Sequence, residues 1–130
     1  MLSFASFLRR TLRMKKTIKK LDNNVVIALT MACETIKEWD TGFEWLTHTA
    51  KYDNFPGSLM VTCVFSLDAE IELAAEQGCD KKIRQLIQSR LLKAGIKVKD
   101  IRRHVRLDSE ESCLREDGGD WPARLARWSC

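Results

Sequence analysis

The chain has 130 residues, 45% of them apolar and 31% charged, with a net charge of +4. That is the size of one domain and the composition of a soluble globular protein, able to bury roughly two thirds of its unfolded surface without staples. The longest apolar run, Val25–Leu29, is far short of the ~20 residues a membrane span needs, so no spanning segment is expected.

The first thirteen residues, MLSFASFLRRTLR, are amphipathic, contain arginine and lack acids. They resemble a very short mitochondrial transit peptide. They make a poor secretory signal, because Arg9 and Arg10 follow the apolar stretch instead of preceding it. The reading adopted is a basic N-terminal extension over residues 1–20, or a frayed amphipathic turn, ahead of a single domain over 21–130. A membrane or partner anchor and a targeting peptide are the alternatives.

Val25, Leu29, Ala32, Cys33 and Ile36 form one stripe at the 3.6 period, which predicts a helix from near Asn24 to Trp39 with Asn23 or Asn24 as cap. Residues 43–51 and 58–66 read as two antiparallel strands. Leu59, Val61, Cys63 and Phe65 share one face, and a type II turn is expected at Pro56–Gly57. A symmetric register sets Lys51 opposite Ser58 and His48 opposite Val61, with Cys63 diagonal to His48.

Residues 67–78 read as a short helix capped by Asp68. Asp80 is expected to cap a stronger one with Ile83, Leu86, Ile87 and Leu91 inside and Gly95 as its left-handed stop. A third strand is expected over 102–107. Asp108 with Glu111 has the spacing of a capping box for a turn of helix over 109–116, and Asp120 is expected to cap a last short helix with Pro122 in its first turn. The order is α-β-β-α-α-β-α. It predicts an α+β two-layer sandwich, with a three-stranded, mainly antiparallel sheet and helices on one face.

Five cysteines (Cys33, Cys63, Cys79, Cys113, Cys130) are too far apart for a CxxC pattern, and Cys33 and Cys63 sit among apolar residues. Reduced thiols in a cytoplasmic compartment are expected. A Cys63–His48 pair has the skeleton of a nucleophile and its base, but on a face that the first helix should bury. No P-loop, GxGxxG, GxSxG or HExxH is present. No cofactor, no metal and no enzymatic activity are expected.

Charge is the functional clue. Residues 1–20 carry +7, 21–80 carry −9, 81–106 carry +9 and 107–130 carry −3. Lys81, Lys82, Arg84, Lys97, Lys99, Arg102, Arg103 and Arg106 make a candidate nucleic-acid or acidic-protein surface, suited to phosphate contacts of low sequence preference. The other sheet face, with Phe43, Trp45, Thr47, Thr49, Met60, Thr62 and Val64, is semi-apolar. Either Trp121 and Trp128 of the last helix cover it, or Phe43, Trp45 and Met60 form a partner interface in a homodimer. A ligand or single-stranded nucleic acid stacking on Trp45 is a further option.

The segments FEWLTHTAKYDNFPGSLMVTCVF (43–65), HVRLDSEESC (104–113) and GGDWPARL (118–125) resemble a family of small bacterial proteins, some labelled automatically as Fis-type transcriptional regulators. The resemblance covers about residues 20–127. It implies a bacterial, cytoplasmic setting and Met14 as the start. It lends no site residue, since the acidic C-terminus broken at Gly118–Gly119 shows no helix-turn-helix.

Overall fold

The apolar stripe of the first helix is its buried face: Val25, Leu29, Ala32, Cys33 and Ile36 are all buried, joined by Ala28. The computed structural model describes residues 16–128, without the side chains of Lys16 and Trp128. The readings made for residues 1–15, for Cys130 and for the Trp128 side chain lie outside them. Helix α1 spans Lys16–Lys37 and runs straight through Asn23 and Asn24, which therefore do not cap it.

Strands β1 (Phe43–Thr49) and β2 (Met60–Phe65) are antiparallel, with His48 opposite Val61 and Leu46 opposite Cys63 as the symmetric register requires. At the base of the loop, Ser58 Oγ bonds both the N–H of Lys51 (2.8 Å) and its carbonyl (2.7 Å). The expected type II turn is absent. The Phe55–Pro56 peptide is cis and Gly57 has no positive φ.

A bulge between Phe43 and Trp45 breaks the alternation, so Phe43 turns to the main core and meets Phe65 edge-on at 6.0 Å.

Helices α2 (Asp68–Glu76) and α3 (Cys79–Lys93) carry the chain back across the sheet to β3 (Val105–Ser109). Two helices make a long crossover, so β3 lies parallel to β2 at the sheet edge. The sheet is therefore mixed, which corrects the mainly antiparallel expectation.

Helix α3 ends as its glycine foretold. Gly95 takes φ 84° and the Ile96 N–H folds back to the Leu91 carbonyl at 2.9 Å. Helix α4 (Glu110–Asp117) is capped by Ser109, whose Oγ accepts from the Ser112 N–H at 2.9 Å, and not by Asp108. Helix α5 (Trp121–Trp128) has its expected cap, Asp120, which accepts from the Ala123 N–H at 3.1 Å.

The architecture is α+β. One sheet face packs Leu46, Val61, Cys63, Phe65 and Val105 against α1 and α3 in the main core. The opposite face packs Trp45 and Val64 against Cys113, Trp121 and Leu125. Helices therefore bank on both faces, because Trp45 and Val64 present too much apolar surface to leave wet.

Candidate functional site

Beyond Gly95 the side chains alternate between buried and exposed. Ile96 and Val98 are buried, so Lys97 and Lys99 between and after them point to solvent. Asp100 then caps a single 3-10 turn, Ile101–Arg103, by accepting from the Arg102 N–H at 3.2 Å. Its carboxylate also takes the Arg102 side chain, through Nε at 3.1 Å and NH2 at 3.2 Å. These bonds to Arg102 hold the Asp100 carboxyl below the usual carboxylate range. Arg103 is left exposed. Buried His104 anchors the turn. Its Nδ1–H donates to the Leu59 carbonyl at 2.6 Å, and its own carbonyl accepts from Val61 N–H at 2.7 Å.

Around this turn opens a hollow of about 540 Å³, walled by Lys97, Lys99, Arg103 and His104 on one side and by Pro56–Gly57 of the β1–β2 loop on the other. Lys97, Lys99 and Arg103 form no ion pair among the described residues. The one carboxylate in the wall, Asp100, is already matched by Arg102. The hollow is a concave surface with an excess of positive charge.

The other proposed cations lie elsewhere. Lys81 and Lys82 are exposed on the first turn of α3. That helix has 15 residues and separates its ends by about 22 Å. Arg84 is half-buried and paired with Asp80 at 3.2 Å. Arg106 stands opposite Thr62 on the far face of the sheet, where burial pushes its guanidinium below its usual value. Of the eight residues, Lys97, Lys99 and Arg103 line the hollow, and the pleat of β3 turns Arg106 to the opposite sheet face.

The proposed partner interface is closed by the chain itself. Phe43 is in the main core, Met60 is half-buried, and Trp45 stacks edge-on against Trp121 at 4.9 Å. Both indole N–H groups donate to Glu110, Trp45 at 2.9 Å and Trp121 at 2.7 Å.

His48 and Cys63 do share a face, but Cys63 is fully buried and burial pushes its thiol up to about 12. A thiol in that state is no nucleophile. The real partner of His48 is Asp22, at 3.1 Å from Nε2, and Tyr52 donates its hydroxyl to the same carboxylate oxygen at 2.6 Å. Asp22 lies 26 positions from His48 with no spacing rule between them, so only docking of α1 on β1 shows the pair. Among the described residues no cluster of three or more His, Cys, Asp or Glu could hold a metal ion, and no helix is long and apolar enough to cross a membrane.

No protein-family model matches this chain, and neither a curated protein nor a solved structure resembles it significantly.

Proposed function

We propose that this protein is a binding protein without catalytic activity, and that it binds nucleic acid through the phosphates at the hollow walled by Lys97, Lys99 and Arg103. The observation that carries this reading is their grouping: three exposed cations around one concavity, with no ion pair to any described residue. Phosphate contacts need cations but no base-edge geometry, so the expected binding is weak in sequence preference and steep in salt dependence.

The test is fluorescence titration of a labelled 20-base-pair duplex over a range of salt. Three phosphate contacts predict a slope of log K on log salt of about −2.7. Charge reversal at Lys97, Lys99 and Arg103 together should abolish binding, while Lys81→Glu with Lys82→Glu should change it less than about two-fold if those side chains stay outside the contact. A salt-independent affinity, or equal losses from both variants, overturns the reading. Tighter binding of a polyglutamate peptide than of the duplex reassigns the hollow to an acidic protein partner.

A further inference from the structure

The hollow at Lys97, Lys99 and Arg103 holds a second kind of hydrogen-bonding group in its wall. The three cations can only donate. Pro56 and Gly57, on the loop side, bring no polar side chain. Asp100 is an acceptor, but both its oxygens already take bonds from the Arg102 side chain, Oδ1 at 3.1 Å and Oδ2 at 3.2 Å. The polar side chain that remains is His104.

Its tautomer follows from its partner. Nδ1 lies 2.6 Å from the Leu59 carbonyl, which has no proton to give, so Nδ1 carries the proton and donates. In a neutral ring Nε2 is then a bare acceptor. No described residue bonds it. Nor is it sealed: His48 Nδ1 is both unpartnered and fully buried, and His104 Nε2 is not. With Nδ1 held against the Leu59 backbone, Nε2 is the ring nitrogen that solvent reaches, on a ring that lines the hollow.

One acceptor among phosphate-binding cations selects its ligand. Phosphodiester oxygens only accept, so they match Lys97, Lys99 and Arg103 but not Nε2. Along the sugar–phosphate backbone of an unbroken strand the one donor is the ribose 2′-hydroxyl, which DNA lacks. It stands beside the phosphates, and every nucleotide offers it whatever its base. The hollow, about 540 Å³, falls within the roughly 300–1,000 Å³ of small-ligand pockets and has room for a nucleotide.

We propose that the hollow takes RNA in preference to DNA, with a ribose 2′-hydroxyl donating to His104 Nε2 while Lys97, Lys99 and Arg103 hold the neighbouring phosphates. The proposal rests on the nucleic-acid reading of the same hollow and adds the class of nucleic acid. His104 sets that choice without reading any base.

The probes are single strands of one sequence and length, built on ribose, 2′-fluororibose or deoxyribose. The fluoro strand keeps the sugar shape of RNA and loses the donor. Fluorescence titration on the full chain should show the ribose strand binding about ten-fold tighter than either of the others, the worth of one hydrogen bond. His104→Asn keeps an amide donor for the Leu59 carbonyl and removes Nε2. It should bring the ribose strand to the affinity of the deoxyribose strand and leave the latter within about two-fold, since phosphate contacts are untouched. Nitrogen-resolved NMR of the histidine rings should show His104 Nε2 unprotonated in the free protein. Equal affinities for the ribose and fluoro strands, a ribose preference that survives His104→Asn, or an Nε2 already protonated would each overturn the proposal and leave the nucleic-acid reading standing. Failure of all three strands to bind overturns both. Should His104→Asn fail to fold, the fluoro strand on the unaltered chain decides alone.

Discussion

Residues 97–103 and 108–111 lie next to each other in the chain, carry opposite charge, and meet opposite fates. Every acid of the second group is engaged inside the fold. Asp108 receives Arg124 through Nε at 2.7 Å and NH2 at 3.0 Å, Glu110 receives two indole N–H groups, and Glu111 accepts from the Asp68 N–H at 2.9 Å. Among the described residues, Arg102 is the one cation of the first group in an ion pair, and its partner is its neighbour Asp100. Charge that a fold has already matched says little about partners, while charge it leaves open is a candidate for recognition.

The contrast is largest at Arg124. It is 3% exposed and holds Asp108, Glu116 and Asp117 together under α5. Arg124→Met should cost about 3–5 kcal/mol in urea denaturation, because it strands the buried Asp108 carboxylate. Adding Asp108→Leu should restore most of that loss, since an apolar pair can replace a buried ion pair nearly neutrally. A double variant as unstable as the single one would show that the pair is not what Asp108 is for.

Next in size is Glu110→Ala, which leaves the indoles of Trp45 and Trp121 without their acceptor. About 1–2 kcal/mol of stability should go, with a change in tryptophan emission that Glu111→Ala does not produce.

Asp68 supplies an acid-sensitive tie between α2 and α4. Ser109 and Ser112 donate to its carboxylate, with Arg115 at 3.1 Å, and together they hold it below the usual carboxylate range. A depressed folded value means stability that is present above the unfolded value and is lost as pH falls through the depressed one. Asp68→Asn should therefore lower stability at neutral pH and flatten its loss below the ordinary carboxylate range, as acid titration followed by circular dichroism will show.

The smallest effect on the fold belongs to the basic side. Reversing Lys97, Lys99 and Arg103 together should change stability by no more than about 0.5 kcal/mol per site, against complete loss of duplex binding. A large destabilisation would mean that these cations, like the acids, have an internal task.

Much of the framework was legible in one dimension. The stripe from Val25 to Ile36, the pairing of His48 with Val61, and the stop at Gly95 rest on local periodicity or on a residue's own φ preference. Phe43 escaped alternation because a bulge leaves no mark in the residue pattern. Asp108 was misplaced as a cap because Ser109, one position on, offers the same local chemistry, and the Arg124 that claims Asp108 stands 16 positions away. The hollow was half legible. Lys97, Lys99 and Arg103 stood in the candidate set, but that these three line one concavity, and that Arg106 faces the other side of the sheet, needed the tertiary structure.

The amino-acid order alone determined which segments coil, which extend and which of their faces are apolar, since those depend on interactions within a few residues. Tertiary structure decided that β3 runs parallel, that α5 closes the Trp45 face, that His48 looks to Asp22, and which charges stay open. Those outcomes depend on groups brought together from distant parts of the chain, where burial makes each unmatched polar atom costly enough to choose its partner.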